Sequence, residues 1–241
     1  MTEHIRQAHV ATNIASRALK AQKIEQLLQF KLNSQTLKIL EIGCGSGGIS
    51  YYFAHHKKLK CEVYAVDVYD NRQETEGYRF TLVESTALPF ADEYFDIVIT
   101  NHVIEHVGEE KEQLHHLFEI KRVLKQTGQC YLAVPNRWML IEPHYQLKFL
   151  SWLPHSLRTP YLKFMGKGNF YDCEPLELKQ LENMLTHVDF HFHNLSVEAT
   201  KATFNIEKSN SSITWLINKI PNAILAIFRF IIPTLIYRLK K

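Results

Sequence analysis

From Leu37 onward, short apolar runs alternate with amphipathic stretches, and the alternation predicts strands and helices in turn. Lys38–Ile42, Cys61–Asp67, Tyr78–Val83, Phe95–Thr100 and Gln129–Pro135 are the strand-like runs. Helices are expected over Gly48–His55 and over Glu109–Lys125. The second carries Leu114, Leu117, Ile120, Val123 and Leu124 on one face, and Gly128 follows where chain reversal favours glycine. Strands that are apolar throughout and alternate with helices imply an α/β fold, a mostly parallel sheet covered on both faces. Ahead of them, Ile14, Ala18, Ala21, Ile24, Leu27 and Leu28 recur at helical spacing, so residues 1–35 read as N-terminal helices and not as a targeting peptide.

After residue 136 the pattern loosens. Residues 137–185 read as a helical insertion, and Glu177–Thr186 as the helix before the sixth strand. Phe190–Val197 is expected as a sixth strand and Thr234–Leu239 as a seventh. The run from Ile213 to Leu239 is strongly apolar, but Pro221, Asn222, Arg229 and Pro233 interrupt it, so it is not expected to span a membrane. With 241 residues, the chain is expected to form a single domain. Its parts are N-terminal helices (1–35), a ligand-binding core (36–136), an insertion acting as a lid (137–185), and C-terminal strands with an apolar helix (186–241).

Composition narrows the classes. A formal net charge of +3 is too small to argue for a nucleic-acid partner. Cys44, Cys61, Cys130 and Cys173 are widely spaced with no C-x-x-C pair, which argues against a disulfide framework or a thiolate zinc site and fits a reducing, cytoplasmic setting.

The sharpest motif is Glu41-Ile-Gly43-Cys-Gly45-Ser-Gly47-Gly48. Glycines there permit a tight strand-to-helix turn and close approach of a ligand to the backbone. The following helix start presents free N–H groups, and Asp67 closes the next strand where an acid can accept ribose hydroxyls. Gly43, Gly45 and Gly48 also satisfy G-x-G-x-x-G, so a nicotinamide oxidoreductase is an alternative. Glu41 just before the first glycine, and a chain too short for a separate substrate domain, count against it.

The segment resembles the first motif of class I, Rossmann-like S-adenosylmethionine-dependent methyltransferases. In family order, Glu84 to Val98 resembles their acid-x-x-x-Leu-Pro-Phe-x-Asp-x-x-Phe-Asp-x-Val stretch, and Asn101-His102-Val-Ile-Glu105-His106-Val107 their Leu-Glu-His-Val segment. Leu117 to Gly128 resembles their Glu-x-x-Arg-Val-Leu-Lys-x-Gly helix. Pro135-Asn136-Arg137 with Glu142-Pro-His144-Tyr145 carries a softer resemblance to methyltransferases of glycan and lipid biosynthesis. The resemblance implies a doubly wound, seven-stranded sheet whose seventh strand runs antiparallel between the fifth and sixth. It implies S-adenosylmethionine as cofactor, with Glu41, Gly43, Gly45 and Gly47 at its methionine end and Asp67 on the ribose. Glu84 and Ser85 would lie at the adenine, and Asn101 and His102 on the sulfonium side. Asp96 is expected to be structural.

Methyl transfer is an in-line displacement that needs alignment above all. Transfer to oxygen also needs a base, and His102 and His144 are the candidates, with Tyr145 positioning the acceptor. His102-Val-Ile-Glu105-His106 also fits H-x-x-E-H, the zinc-peptidase pattern, but it follows a strand and Gly108 comes soon after. Some quinone-pathway methyltransferases resemble this segment with Glu in place of His102 and use a divalent ion; no metal is assigned. Trp138, Tyr145, Phe149, Trp152, Tyr161 and Phe164, with Arg137, Lys148, Arg158 and Lys163, are read either as a lid for a sugar, lipid headgroup or quinone ring or as ordinary packing. The apolar tail, Ile213 to Leu239, is expected to be mostly core, with peripheral membrane contact through an outer face of residues 213–232 compatible with it. A catalytically inactive cofactor-binding module is the other function class in play.

Overall fold

The computed structural model describes residues 14–30, 35–142, 144–207 and 212–241. The helix expected before Ile14, and the stretch 31–34, lie outside the described residues. Helix α1 (Ile14–Leu28) precedes β1 (Leu37–Ile42), α2 (Gly48–Ala54), β2 (Cys61–Asp67), β3 (Arg79–Leu82) and β4 (Phe95–Asn101). A 3-10 turn over Ile104–His106 leads to α3 (Glu110–Val123) and the long β5 (Leu124–Pro135). The insertion holds β6 (Ile141–Glu142), β7 (Leu147–Lys148), a 3-10 turn and α4 (His155–Phe164). Then come α5 (Leu178–His187), β8 (His191–Asn194), α6 (Ser196–Glu207), α7 (Ser212–Lys219), α8 (Asn222–Ile227), a third 3-10 turn (Arg229–Ile231) and β9 (Thr234–Lys240).

Seven strands form one sheet in the order β3-β2-β1-β4-β5-β9-β8. Strands β1 to β5 pair in parallel, and β9 lies antiparallel between β5 and β8. Strand geometry sends alternate side chains to opposite faces. Leu40, Ile42, Val66 and Val98 thus meet Leu117, Ile120 and Val123 of α3 and Leu181 and Leu185 of α5. Ile39, Val63, Ile97 and Ile99 meet Ala21, Ile24 and Leu28 of α1 and Ile49 and Phe53 of α2. Both faces are covered, which is why these strands read as apolar without alternation.

Several boundaries differ from the sequence pattern. Helix α3 stops at Val123 because Leu124 is already extended and pairs with Phe95. Gly128 therefore lies inside β5 and not at a helix end; a Cβ there would come within 3.0 Å of the Asp96 and Lys125 carbonyl oxygens. The sixth strand is only His191–Asn194. The Asn194 side chain accepts the Ser196 N–H at 3.0 Å, a local turn that starts α6 where strand was expected. Ahead of α5 the insertion has one α-helix, α4, beside a short hairpin, and builds a small core from Tyr145, Leu147, Leu150, Leu162, Tyr171 and Cys173.

The apolar tail splits. Leu235, Tyr237 and Leu239 of β9 are fully buried, but α8 and the turn after it bury nothing. Trp215 is 63% exposed and Ile227 68%, so the expectation of a mostly core segment holds only for its last strand. Asn136, at the end of β5, anchors the join: its amide donates to the carbonyls of Phe230 and Ile232 at 2.8 and 2.9 Å.

Candidate active site

The carboxyl ends of β1, β2 and β4 open into a cavity of about 1110 Å³. In a doubly wound sheet this is where strand order reverses and ligands bind. Gly43 sits at φ +71 and Gly47 at φ +79, both in the left-handed region. A Cβ on Gly43 would strike Val103, and one on Gly47 would strike the Glu74 carbonyl and the Tyr78 hydroxyl. Asp67 closes β2 and holds the loop in shape. Its Oδ2 accepts the Gly45 N–H at 2.8 Å and its Oδ1 the Val68 N–H at 2.7 Å. Gly43, Gly45, Asp67, Glu84, Ser85 and Asn101 all line the cavity.

Glu41 and Gly47 do not line it. Glu41 is 3% exposed and points behind the loop, where Oε2 accepts the Ser50 hydroxyl of α2 at 2.5 Å. Burial pushes its carboxyl up to about 7 against the pull of Ser50 and Arg17. Its contact is thus with the helix that supports the loop. Gly47 shapes the turn that starts α2.

Opposite the loop stands a cluster of titratable side chains. His102 lines the cavity at φ +59, its N–H bonded to the Ala133 carbonyl at 2.9 Å. Its Nδ1 lies 3.4 Å from Oε1 of the fully buried Glu105, which is 3.9 Å from His106. His144, from the insertion, also lines the cavity, and its Nδ1 is 2.7 Å from Glu142. Burial lowers the affinity of His102 for a proton, outweighing Glu105. For His144 burial acts in the same direction, but Glu142, Glu105 and Asp172 outweigh it and raise the pKa. Burial works against ionised Glu105, yet His102 and His106 hold its carboxyl below the ordinary range. The two histidines are therefore not equivalent: His102 is the one biased toward the neutral, proton-accepting form.

The zinc-peptidase reading requires both histidines on one continuous helix. Here His102 lies outside the three-residue turn that holds Glu105 and His106. One ligand-type atom each from His102, Glu105 and His144 does fall within 4.8 Å of the others, as in two groups around Cys173. No ion is assigned to them.

Tyr145 does not reach the cavity. It is buried, and its hydroxyl is 3.1 Å from both the Phe170 carbonyl and Asp172. Trp138, Phe149, Trp152, Tyr161 and Phe164 do not line the cavity either, and Trp138 and Phe149 each meet Trp152 edge to face. Arg158 is tied to Glu174 at 3.2 Å. The wall is built instead by α1, with Arg17, Lys20 and Lys23, and by α6, with Thr200, Thr203 and Phe204. The signal for α1 was present in the sequence as three cations spaced by three on a helix that also carries Ala21, Ile24, Leu27 and Leu28.

Residues 40–132, the strands and loops that shape this cavity, match the family model described as Methyltransferase domain. The matched segment is a methyltransferase domain, and together with the fold it supports a class I, Rossmann-like S-adenosylmethionine-dependent methyltransferase with S-adenosylmethionine as its cofactor. It is similar to a ubiquinone biosynthesis O-methyltransferase of Bartonella quintana, 31% identical over 176 residues, 64% of this chain and 62% of that one. A protein of the same description from Rickettsia prowazekii is 25% identical, with 77% of each chain covered. In three dimensions a SAM-dependent methyltransferase of Methanosarcina mazei shares the fold, with a TM-score of 0.54 at 20% identity over 87% of this chain and 94% of that one. The chain thus spans about three fifths of the Bartonella relative, 62% by length.

Proposed function

We propose that the protein methylates a hydroxyl oxygen of a small-molecule acceptor, with His102 as the base. The observation that carries this reading is the single cavity joining the glycine loop and Asp67 to His102, with Glu105 behind it. S-adenosylmethionine supplies a methyl carbon activated by positive sulfur. The loop glycines and Asp67 orient it, which is most of what an in-line displacement requires. His102 faces Nδ1 toward Glu105, 3.4 Å away, and Nε2 takes the proton of the attacking hydroxyl as the new C–O bond forms. Glu105 stays ionised and steadies the imidazolium. Tyr145 holds the insertion together through Asp172. The relatives named for ubiquinone biosynthesis favour a hydroxylated ring as acceptor over a sugar or a lipid-linked glycan.

The test is transfer of a labelled methyl group from S-adenosylmethionine to catechol-type acceptors and to small molecules of a cell extract, by the purified full chain. An alkali-stable methyl ether is the expected product. Label found only at nitrogen or carbon, or no transfer at all, overturns the reading.

A second reading concerns place. Ile213, Trp215, Leu216, Ile224, Ile227, Phe228 and Phe230 are all exposed on α7, α8 and the following turn. Residues 208–241 hold no acid, while Lys219 caps the Trp215 ring at 3.9 Å and Arg229 lies nearby in the chain. Among the described residues no helix is long and apolar enough to cross a membrane. These features fit an interfacial contact with anionic lipid. The full chain should float with anionic vesicles at low salt, and substitution of Lys219 and Arg229 by Glu should abolish it. No flotation at low salt rejects the contact.

A further inference from the structure

The basic wall of the cavity carries three cations. Arg17, Lys20 and Lys23 of α1 all face it, on one helical stripe. Lys23 is satisfied within the fold: it is 6% exposed and donates to Glu207 at 2.7 Å and to Thr203 at 2.9 Å. Arg17 lies over the start of α2, where its Cβ and Cγ fill the space that a side chain on Gly48 would need. It is therefore the cation beside the glycine loop and the methionine end of the cofactor. Lys20 stands between these two. No salt bridge joins it to an acid among the described residues, and its charge acts on His102 across the cavity. Burial, then repulsion from Arg17 and Lys23, pushes its ammonium down to about 8, with Glu207 the compensating acid. Asp67 and Glu84 line the nucleoside side, and Asp67 already accepts two backbone N–H groups. A bound sulfonium adds further positive charge. A half-buried cation held among cations is stabilised by an anion brought in from outside.

We propose that Lys20 forms an anion subsite for the acceptor, so that the natural acceptor carries a carboxylate or phosphate within reach of the hydroxyl that is methylated. The proposal rests on the oxygen-transfer reading for the location of the acceptor, but the anion subsite can be measured without turnover. It makes Lys20 a specificity residue: the charged group is pulled toward α1, and the hydroxyl is thereby turned toward His102.

The test uses the full chain loaded with S-adenosylhomocysteine and three probes in calorimetry: 3,4-dihydroxybenzoate, uncharged catechol and phenyl phosphate. One charge-assisted contact should make an anionic probe bind at least about tenfold tighter than catechol. In Lys20→Gln the difference should collapse to within about twofold, and Lys20→Arg should restore most of it. S-adenosylhomocysteine affinity should stay within about twofold in both variants, which also shows that they fold. A preference confined to the carboxylate or to the phosphate probe identifies which anion the subsite takes. Equal affinity for charged and uncharged probes, a preference that survives Lys20→Gln, or no saturable binding of either anion overturns the proposal. So does a Lys20→Gln variant that loses S-adenosylhomocysteine with recovery in Lys20→Arg, since Lys20 would then hold the cofactor. Lys20-dependent anion binding in a protein that forms no methyl ether sinks the oxygen-transfer reading and leaves the subsite standing.

Discussion

Asp67→Ala separates a job that the structure shows for this side chain from the ribose contact proposed for it. The carboxylate accepts the Gly45 N–H at 2.8 Å and the Val68 N–H at 2.7 Å, so it braces the glycine loop before any ligand arrives. Removing it strands two donors. At about 1 kcal/mol each the free protein should lose roughly 2 kcal/mol. For a domain of this size that lowers Tm by roughly 4–8 °C. The second job is to accept the ribose hydroxyls. Two hydrogen bonds to a charged acceptor are worth about 1.5–3 kcal/mol each, so affinity for S-adenosylhomocysteine should fall by roughly 10²–10⁴. Asp67→Asn should fall between: it keeps one acceptor oxygen and turns an amide toward a donor. Differential scanning calorimetry of the free protein and titration calorimetry with S-adenosylhomocysteine read the two losses separately. A lowered Tm with affinity unchanged within about threefold would refute the ribose assignment and leave Asp67 a loop brace only.

Three further outcomes are expected. The Glu41 carboxyl goes from an ordinary 4.5 to about 7, so between those values the folded state binds more protons than the unfolded. Stability should therefore fall as pH rises through that window, by on the order of 3 kcal/mol, and Glu41→Gln should flatten the dependence seen in denaturant titrations; an unchanged slope refutes the assignment. His102→Ala should lower turnover by about 10²-fold or more with cofactor affinity intact, and the wild-type rate should hold to pH values below the usual imidazole range of about 6.5 before it falls. His144→Ala, which removes the more readily protonated ring, should cost less, and the reverse order would move the base to His144. Deleting residues 233–241 removes β9 and exposes the inner edges of β5 and β8, so the truncated chain should be insoluble on expression; a soluble truncation that binds cofactor would make the tail an appendage.

Local chemistry made much of this protein legible in its sequence. The strands β1, β2 and β4 are continuous apolar runs because both faces of the sheet are buried, and β2 was legible to its exact ends. The glycine loop and Asp67 were legible because a left-handed turn and a strand-end acid restrict residue type at fixed spacing. The short range of such constraints explains the failures too. Glu41 and Gly47 belong to the motif, but a motif does not say which of its residues line the cavity: the Glu41 side chain turns to Ser50, and Gly47 caps α2. Gly128 has its reason in the Asp96 carbonyl, thirty-odd residues away, and not in its helix.

What the sequence determined by itself was the order of elements, the glycine turn, the acid that follows it and the histidines opposite. Only the tertiary structure decided which helices wall the cavity. The aromatic insertion looked like a lid, yet its rings pack on each other, while α1 and α6, remote in sequence, close over the site through Lys23, Thr203 and Glu207. The tail shows the same limit. A run of Ile, Leu and Phe is apolar wherever it goes, but burial depends on what lies opposite: β5 and β8 supply partners on both sides of β9, whereas no residue of α8 is fully buried. Hydrophobicity is a property of the residue, and burial is a property of its neighbours, which only the folded chain brings together.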